Sequence, residues 1–250
     1  MKISSSCYAI HGLFTLSPWV VNSGFIVGES KTLIVDAGAN YLSAQTIFGY
    51  ATSAREENEL FLVNTEPHFD HIGGNCYFSE KGIPIYGHEG INRTSEEFYG
   101  LAEEFNKTIT SSKRREAREE QTLFVNTHPV NPNHKISALR TTLDLGNKII
   151  EIILTPGHSP QNLMVFVPSE NVIYSGDTII EGYIPNMEDS TVEGWKNWMK
   201  SLNIIEELDP GILVPGHGKV LRGNEITKQI ELTKEYLIAG IESGKAPTAL

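Results

Sequence analysis

Residues 65–75 read TEPHFDHIGGN. The stretch sets Glu66, His68, Asp70 and His71 close together, then relaxes into Gly73 and Gly74. Imidazole nitrogens and carboxylate oxygens are the donors that divalent cations take, so this mixture reads as a metal clamp. It follows ELFLVNT, residues 59–65, an apolar run bounded by polar residues that reads as a buried strand. Layered α/β folds place their chemistry at such strand ends.

Three more segments repeat the pattern of an apolar run passing into a turn rich in Gly or Pro. They carry His158 in TPGHSP, Asp177 in YSGDT and His217 in VPGHGK. Glycine lets the backbone approach a bound ion and aim a side chain. Each residue alone has an ordinary reading: a lone His is a hydrogen-bonded core or surface residue, and the Asp of SGDT can cap a helix. Four separate segments in one context point instead to a shared metal site. Two cations about 3.5–4 Å apart can hold a hydroxide, polarise a scissile carbonyl and stabilise a leaving group. Bound water then has a pKa near 7.

Outward from these motifs the chain reads as alternating strands and helices. GFIVG and TLIVDAG form a hairpin signal joined by ESK, and a helical pattern runs from Ser43 to about Arg55. Thr94 to Gln121 is polar, charged and helical in character; THPVNPNHKIS after it reads as a loop. KIIEIILT, NLMVFVP, NVIYSGD and GILVPGHG read as strands. Val192, Trp195, Trp198, Met199, Leu202 and Ile205 recur at helical spacing, ended by Pro210-Gly211, and Asn224 to Ile241 forms a last amphipathic helix. No internal repeat or low-complexity segment is found. The order fits a layered α/β domain, with sheets inside, helices outside and one domain over residues 1–250.

The 250 residues are 40% hydrophobic and 20% charged, ordinary for a globular protein. No apolar run approaches the roughly 20 residues of a membrane helix. A net charge of −11 argues against a nucleic-acid partner, which needs a basic face. The basic cluster Lys113, Arg114, Arg115 and Arg118 lies among glutamates and reads as a solvated helix face. Cys7 and Cys76 form no CxxC and read as small buried residues. MKISSSCYAIHG lacks the apolar core of a secretory signal, so the expected location is the cytoplasm.

EPHFDHIGGN, PGHSPQN, SGD and PGHG, in this order, resemble the metallo-β-lactamase superfamily. The resemblance covers most of the chain. It implies an αββα four-layer sandwich with two divalent metal ions at one edge of the sheets, zinc first, with iron or manganese as alternatives. It implies Glu66, His68 and His158 on the first metal, Asp70, His71 and His217 on the second, and Asp177 bridging them. Asp70 would also orient the attacking hydroxide as the catalytic residue. The family's usual first ligand is His, so Glu66 is a departure. An anionic ligand there makes the ion a weaker Lewis acid and the site harder; the alternative is that Glu66 empties the first site. Asp36, in IVDAG, is a candidate support for a ligand or a turn-stabilising Asp.

The resemblance specifies the substrate less well. The most similar β-lactamase subclass has Cys where Asp177 stands and a lactam-binding Lys where this chain has Glu181. The long helical extension of glyoxalase II, the flavin domain of oxygen-reducing relatives and the inserted domain of RNA-processing relatives are not read in these 250 residues, so those activities are not expected. The expected function is a dinuclear metallohydrolase acting on a small ester, lactone, thioester or amide. A lactam-hydrolysing enzyme and a non-catalytic metal or small-ligand binder are the alternatives. Phe69, Tyr77 and Tyr183 are candidate pocket walls, whereas Trp195 and Trp198 read as core; His128 and His134 read as surface residues. The Thr94–Gln121 helix and THPVNPNHKIS are candidate lids.

Overall fold

The computed structural model describes residues 1–13, 20–108, 124–188 and 190–247. Its strands form two sheets. The first, in the order β1 to β6, holds β1 (Cys7–Ile10), β2 (Ser23–Val27), β3 (Lys31–Val35), β4 (Glu59–Val63), β5 (Ile85–His88) and β6 (His134–Ile136). The second, in the order β12 to β7, holds β7 (Arg140–Asp144), β8 (Ile149–Leu154), β9 (Leu163–Val167), β10 (Val172–Ile180), β11 (Ile212–His217) and β12 (Leu221–Arg222). The β2–β3 hairpin is antiparallel, and β3, β4, β5 and β6 run parallel. The second sheet is antiparallel except where β10 meets β11.

Leu33, Val35 and Val63 of the first sheet pack against Ile150, Val165, Val172 and Val214 of the second in a common core. On the outer face of the first sheet, Ala44, Ile47 and Ala51 of α1 (Tyr41–Ala54) meet Phe25, Ile34 and Leu62. On the outer face of the second, Trp195, Trp198, Leu202 and Ile205 of one helix and Ile226, Ile230 and Leu237 of another pack on Ile153, Met164, Ile173 and Leu213. The layers are therefore αββα. Among the described residues no helix is long and apolar enough to cross a membrane.

Helix ends follow local chemistry. Asn40 caps α1 by accepting the Ser43 N–H at 2.8 Å. Between α1 and the second sheet lie α2 (Phe69–Ile72), α3 (Asn75–Glu80) and α4 (Ser95–Thr108). Thr191 caps α5 (Val192–Leu208), which ends at Asp209 in the left-handed region, φ 44°, before Pro210. Gly244, φ 68°, closes α6 (Asn224–Ser243).

Two expectations are corrected. THPVNPNHKIS is not all loop: its last residues form β6, which pairs with β5 and so is covered on one edge. Asp177 does not follow its strand but lies within β10. The register of β10 against β11 shifts on either side of Gly176, φ +50°, so a bulge does the aiming that a turn was expected to do. The helix expected over Thr94–Gln121 is described as α4, and its remainder, with Lys113, Arg114, Arg115 and Arg118, lies outside the described residues.

Candidate metal centre

After β4 the chain passes through Asn64, Thr65 and Glu66 into the short α2, with His68 just before its first residue. Gly73 and Gly74 make this possible. A Cβ on Gly73 would meet the carbonyl of Ala39, and one on Gly74 the carbonyl of Ala37, so the segment lies backbone to backbone on the β3–α1 connection. The loop after β8 brings in His158, the β10 bulge Asp177, and the end of β11 His217. All but His68 of these residues are buried.

The donor atoms converge in two groups. Glu66, His68, His158 and Asp177 form one; Asp70, His71 and His217 form the other, each within 4.8 Å. His158 Nε2 lies 3.0 Å from His68 Nδ1, and Glu66 Oε2 lies 3.1 Å from His68 Nδ1 and 3.4 Å from His158 Nε2. Asp177 spans the groups: its Oδ2 is 3.5 Å from His158 Nε2 and 3.3 Å from His217 Nε2, and its Oδ1 is 3.3 Å from His71 Nε2. His217 Nε2 is also 3.2 Å from Asp70 Oδ2.

The outward ring nitrogens are held from behind. His71 Nδ1 is 2.9 Å from Asp36 Oδ2, His158 Nδ1 is 3.0 Å from the Asn186 carbonyl, and His217 Nδ1 is 3.0 Å from the Val20 carbonyl. Each contact leaves Nε2 to face the centre, the arrangement metal-binding histidines use. Asp36 is both support and turn residue: it sits at φ 62° and also accepts the Thr65 N–H and hydroxyl at 2.7 Å each. A non-glycine residue in that region marks strain retained where the surroundings hold it. The supporting carbonyls of Asn186 and Val20 carry no signal in the sequence, because any residue supplies one.

Electrostatics bind the cluster together. Burial pushes the Glu66 carboxyl up, but His68 with His158 and His71 brings it down to about 2. Burial pushes the His68 and His217 rings down; Glu66 raises the first to about 9 and Asp177 the second to about 11. Both Glu66 oxygens, His71 Nε2 and Asp177 Oδ1 are buried and make no hydrogen bond. Desolvated acceptors without a donor are costly, and a cation among them would satisfy them all. The residues present therefore fit divalent metal ions.

A cavity of about 510 Å³ opens on the cluster. His68, Asp70, His158, Asp177 and His217 line its floor; Phe69, Leu101, Ile180, Tyr183 and Ile184 line its walls. Phe69 and Tyr183 are thus wall residues. Tyr77 is not: it is buried and packs edge-on against Tyr41 at 5.0 Å. Trp195 and Trp198 are buried core, and His128 and His134 are exposed. Leu101, Ile180 and Ile184 come from distant segments that the sequence did not connect.

The family model described as the metallo-beta-lactamase superfamily matches residues 16–217. The chain belongs to that superfamily, and the relatives it matches are hydrolases, thioesterases and beta-lactamases among them. It is 24% identical over 98% of its length to the metallo-beta-lactamase type 2 of Bacteroides fragilis, covering 88% of that protein. It is 23% identical over 86% of its length to the acyl-coenzyme A thioesterase MBLAC2 of Gallus gallus, covering 78% of it. Among solved structures, a metallo-beta-lactamase family protein from Thermus thermophilus superposes with a TM-score of 0.70 at 18% identity, covering 95% of this chain and 81% of that one.

Proposed function

We propose that the chain is a single-domain dinuclear metallohydrolase that cleaves a small ester, lactone, thioester or amide bearing an apolar acyl group. The observation that carries the reading is the set of buried acceptor atoms without hydrogen bonds, facing imidazoles from separate segments. Glu66, His68 and His158 would hold one ion, Asp70, His71 and His217 the other, and Asp177 both. Zinc, iron and manganese all accept this donor set. When bound, the ions supply Lewis acidity, drawing the pKa of water toward neutrality and polarising the substrate carbonyl.

The chain's own residues do the rest. Phe69, Ile180 and Ile184 seat the acyl group and keep bulk water from it. Asp70, at the floor, takes a proton from water at a carboxylate oxygen and orients the attack. The water oxygen bonds to the acyl carbon, the carbon–leaving-group bond breaks, and the leaving atom departs with the proton that Asp70 took, which restores the carboxylate.

The apolar acyl class is favoured over a lactam by charge. Among the described residues, no Lys or Arg lines the cavity to receive a lactam carboxylate. Glu181 instead accepts the Lys219 backbone N–H at 3.0 Å. The thioesterase relative agrees with an acyl thioester. The test is metal analysis of the purified protein, followed by panels of thioesters, lactones, esters and nitrocefin with and without chelator. About two equivalents of metal and chelator-sensitive thioester or ester hydrolysis are expected. Protein that binds no metal, or hydrolysis indifferent to chelator, would sink the reading.

A further inference from the structure

We propose that Glu66 is a second bridge between the two ions, one carboxylate oxygen serving each, and not a terminal ligand of the first ion alone. This rests on the dinuclear reading above and deepens it.

The geometry of the carboxylate carries the inference. Oε2 faces the first group, 3.1 Å from His68 Nδ1 and 3.4 Å from His158 Nε2. Oε1 faces the second, 2.9 Å from His71 Nε2. The side chain is fully buried, and neither oxygen accepts a hydrogen bond. A terminal ligand would commit one oxygen to its ion and leave the other to find a donor, because an unsatisfied buried carboxylate oxygen is costly. No hydrogen bond is made at either oxygen. What each has instead is an imidazole nitrogen of a different ligand group.

Asp177 shows the same placement, with atoms toward His158, His71 and His217. The two acids therefore approach the line between the groups together. Two dications about 3.5–4 Å apart repel each other strongly. Anionic groups that touch both offset that repulsion where it is greatest. A single imidazole cannot serve two ions in this way, because each ring nitrogen offers one lone pair in the ring plane. A carboxylate can. A centre with two bridging carboxylates is rich in hard oxygen donors, which suits manganese or iron(II) better than zinc.

The direct test is the crystal structure of wild-type protein loaded with Mn(II) alone, with the ions located by anomalous scattering. The expected result is two ions, with Glu66 Oε2 bound to the one near His158 and Oε1 to the one near His71. Two ions with both Glu66 oxygens on one of them, or one oxygen on neither, would overturn the bridge and leave the dinuclear reading intact. No ion among these residues would overturn both. A solution measurement covers the same ground: electron paramagnetic resonance of protein holding two equivalents of Mn(II). Wild type is expected to show an exchange-coupled pair whose splitting changes in E66H. Identical coupling in an E66H variant that still holds two equivalents would overturn the bridge. If E66H does not fold, E66Q is read the same way.

Discussion

Glu66 and Glu170 are both carboxylates removed from water, and they are treated in opposite ways. Glu170 ends the short turn between β9 and β10, two residues before β10 begins, and Asp177 lies toward the end of that strand. The Ser6 N–H and the Ser4 hydroxyl reach Glu170 Oε2, while the Ser6 hydroxyl and Lys148 Nζ reach Oε1, the ammonium at 2.7 Å. That network ties the segment before β1, in one sheet, to the β8 and β9 ends of the other. Glu66 has imidazoles as neighbours and no hydrogen bond at either oxygen. A fold that surrounds one part-buried acid with four hydrogen-bond donors gives another, fully buried, imidazole neighbours and no hydrogen bond. The difference separates a carboxylate that holds the sheets together from one kept open for a cation.

The largest expected effect is at the acid shared between the groups. Asp177→Asn keeps the shape and removes the charge that faces His71, His158 and His217. Loss of an outer supporting partner costs about 10–100-fold in metal affinity or activity, and loss of the shared ligand is expected to cost more. Elemental analysis should find fewer than two equivalents per chain, and turnover should fall below about 1% of wild type, in line with that scale. Full metal content in D177N would break the distinction between the two regions.

Next comes Asp36, which never faces the cavity. It fixes the His71 ring through Nδ1 and the Thr65 backbone through its other oxygen. Asp36→Asn can still accept from one partner but no longer offers His71 a carboxylate. The expected loss is about 10–100-fold in metal affinity, measured by competition with a chromophoric chelator. Unchanged affinity would reduce Asp36 to a turn residue.

These two residues also show where the sequence was readable. Asp177, Glu66 and the five other proposed ligands each stand in a short polar motif beside an apolar run, so their convergence was legible before the fold was known. The alternation of strands and helices pointed to a layered α/β domain with sheets inside, and the αββα order was what the family resemblance implied. Asp36 was legible only as a possibility, because an Asp after a strand looks alike whether it holds a turn or a histidine. β6 was hidden by the prolines and asparagines around it, since its partner β5 lies far away in sequence. The cavity walls were hidden for a similar reason: Phe69, Leu101 and Ile184 sit on three unconnected segments. The strand position of Asp177 depended on a bulge set by pairing with β11, which no local pattern encodes.

The Glu170 network gives a stability effect. Its side chain is 9% exposed and that of Lys148 10%. Breaking a buried pair by removing one charge costs about 3 kcal/mol, and Glu170→Gln is expected to lose that much or somewhat less in denaturant unfolding at pH 7. The pH dependence has a definite sign. Burial alone would raise the Glu170 carboxyl, but Lys148 with Ser4 and Ser6 holds it well below the usual carboxylate range. A carboxyl depressed in the folded state stabilises the protein fully above its unfolded pKa, about 4.3. That contribution fades as pH falls below this value toward the folded one. The difference between wild type and E170Q should therefore shrink on acidification below about pH 4. A difference that stays constant there would mean that the network acts by packing and not by charge.

The smallest effect concerns the thiol beside that network. Cys7 is fully buried, and burial pushes its pKa up to about 11. Cys76 is also buried, and neither forms a disulfide. The thiolate is the reactive species, so at pH 8 the native chain should react with a thiol reagent at neither residue, while the unfolded chain should react at both. Cys7→Ala should cost only about 1 kcal/mol, the scale of a small core truncation, and leave metal content unchanged. In E170Q the labelling of Cys7 should quicken in step with the loss of stability, because the same segment then opens more often. Labelling of Cys7 in E170Q at the wild-type rate would show that the segment before β1 is held by the core alone, and would remove Glu170 from its role as the clasp between the sheets.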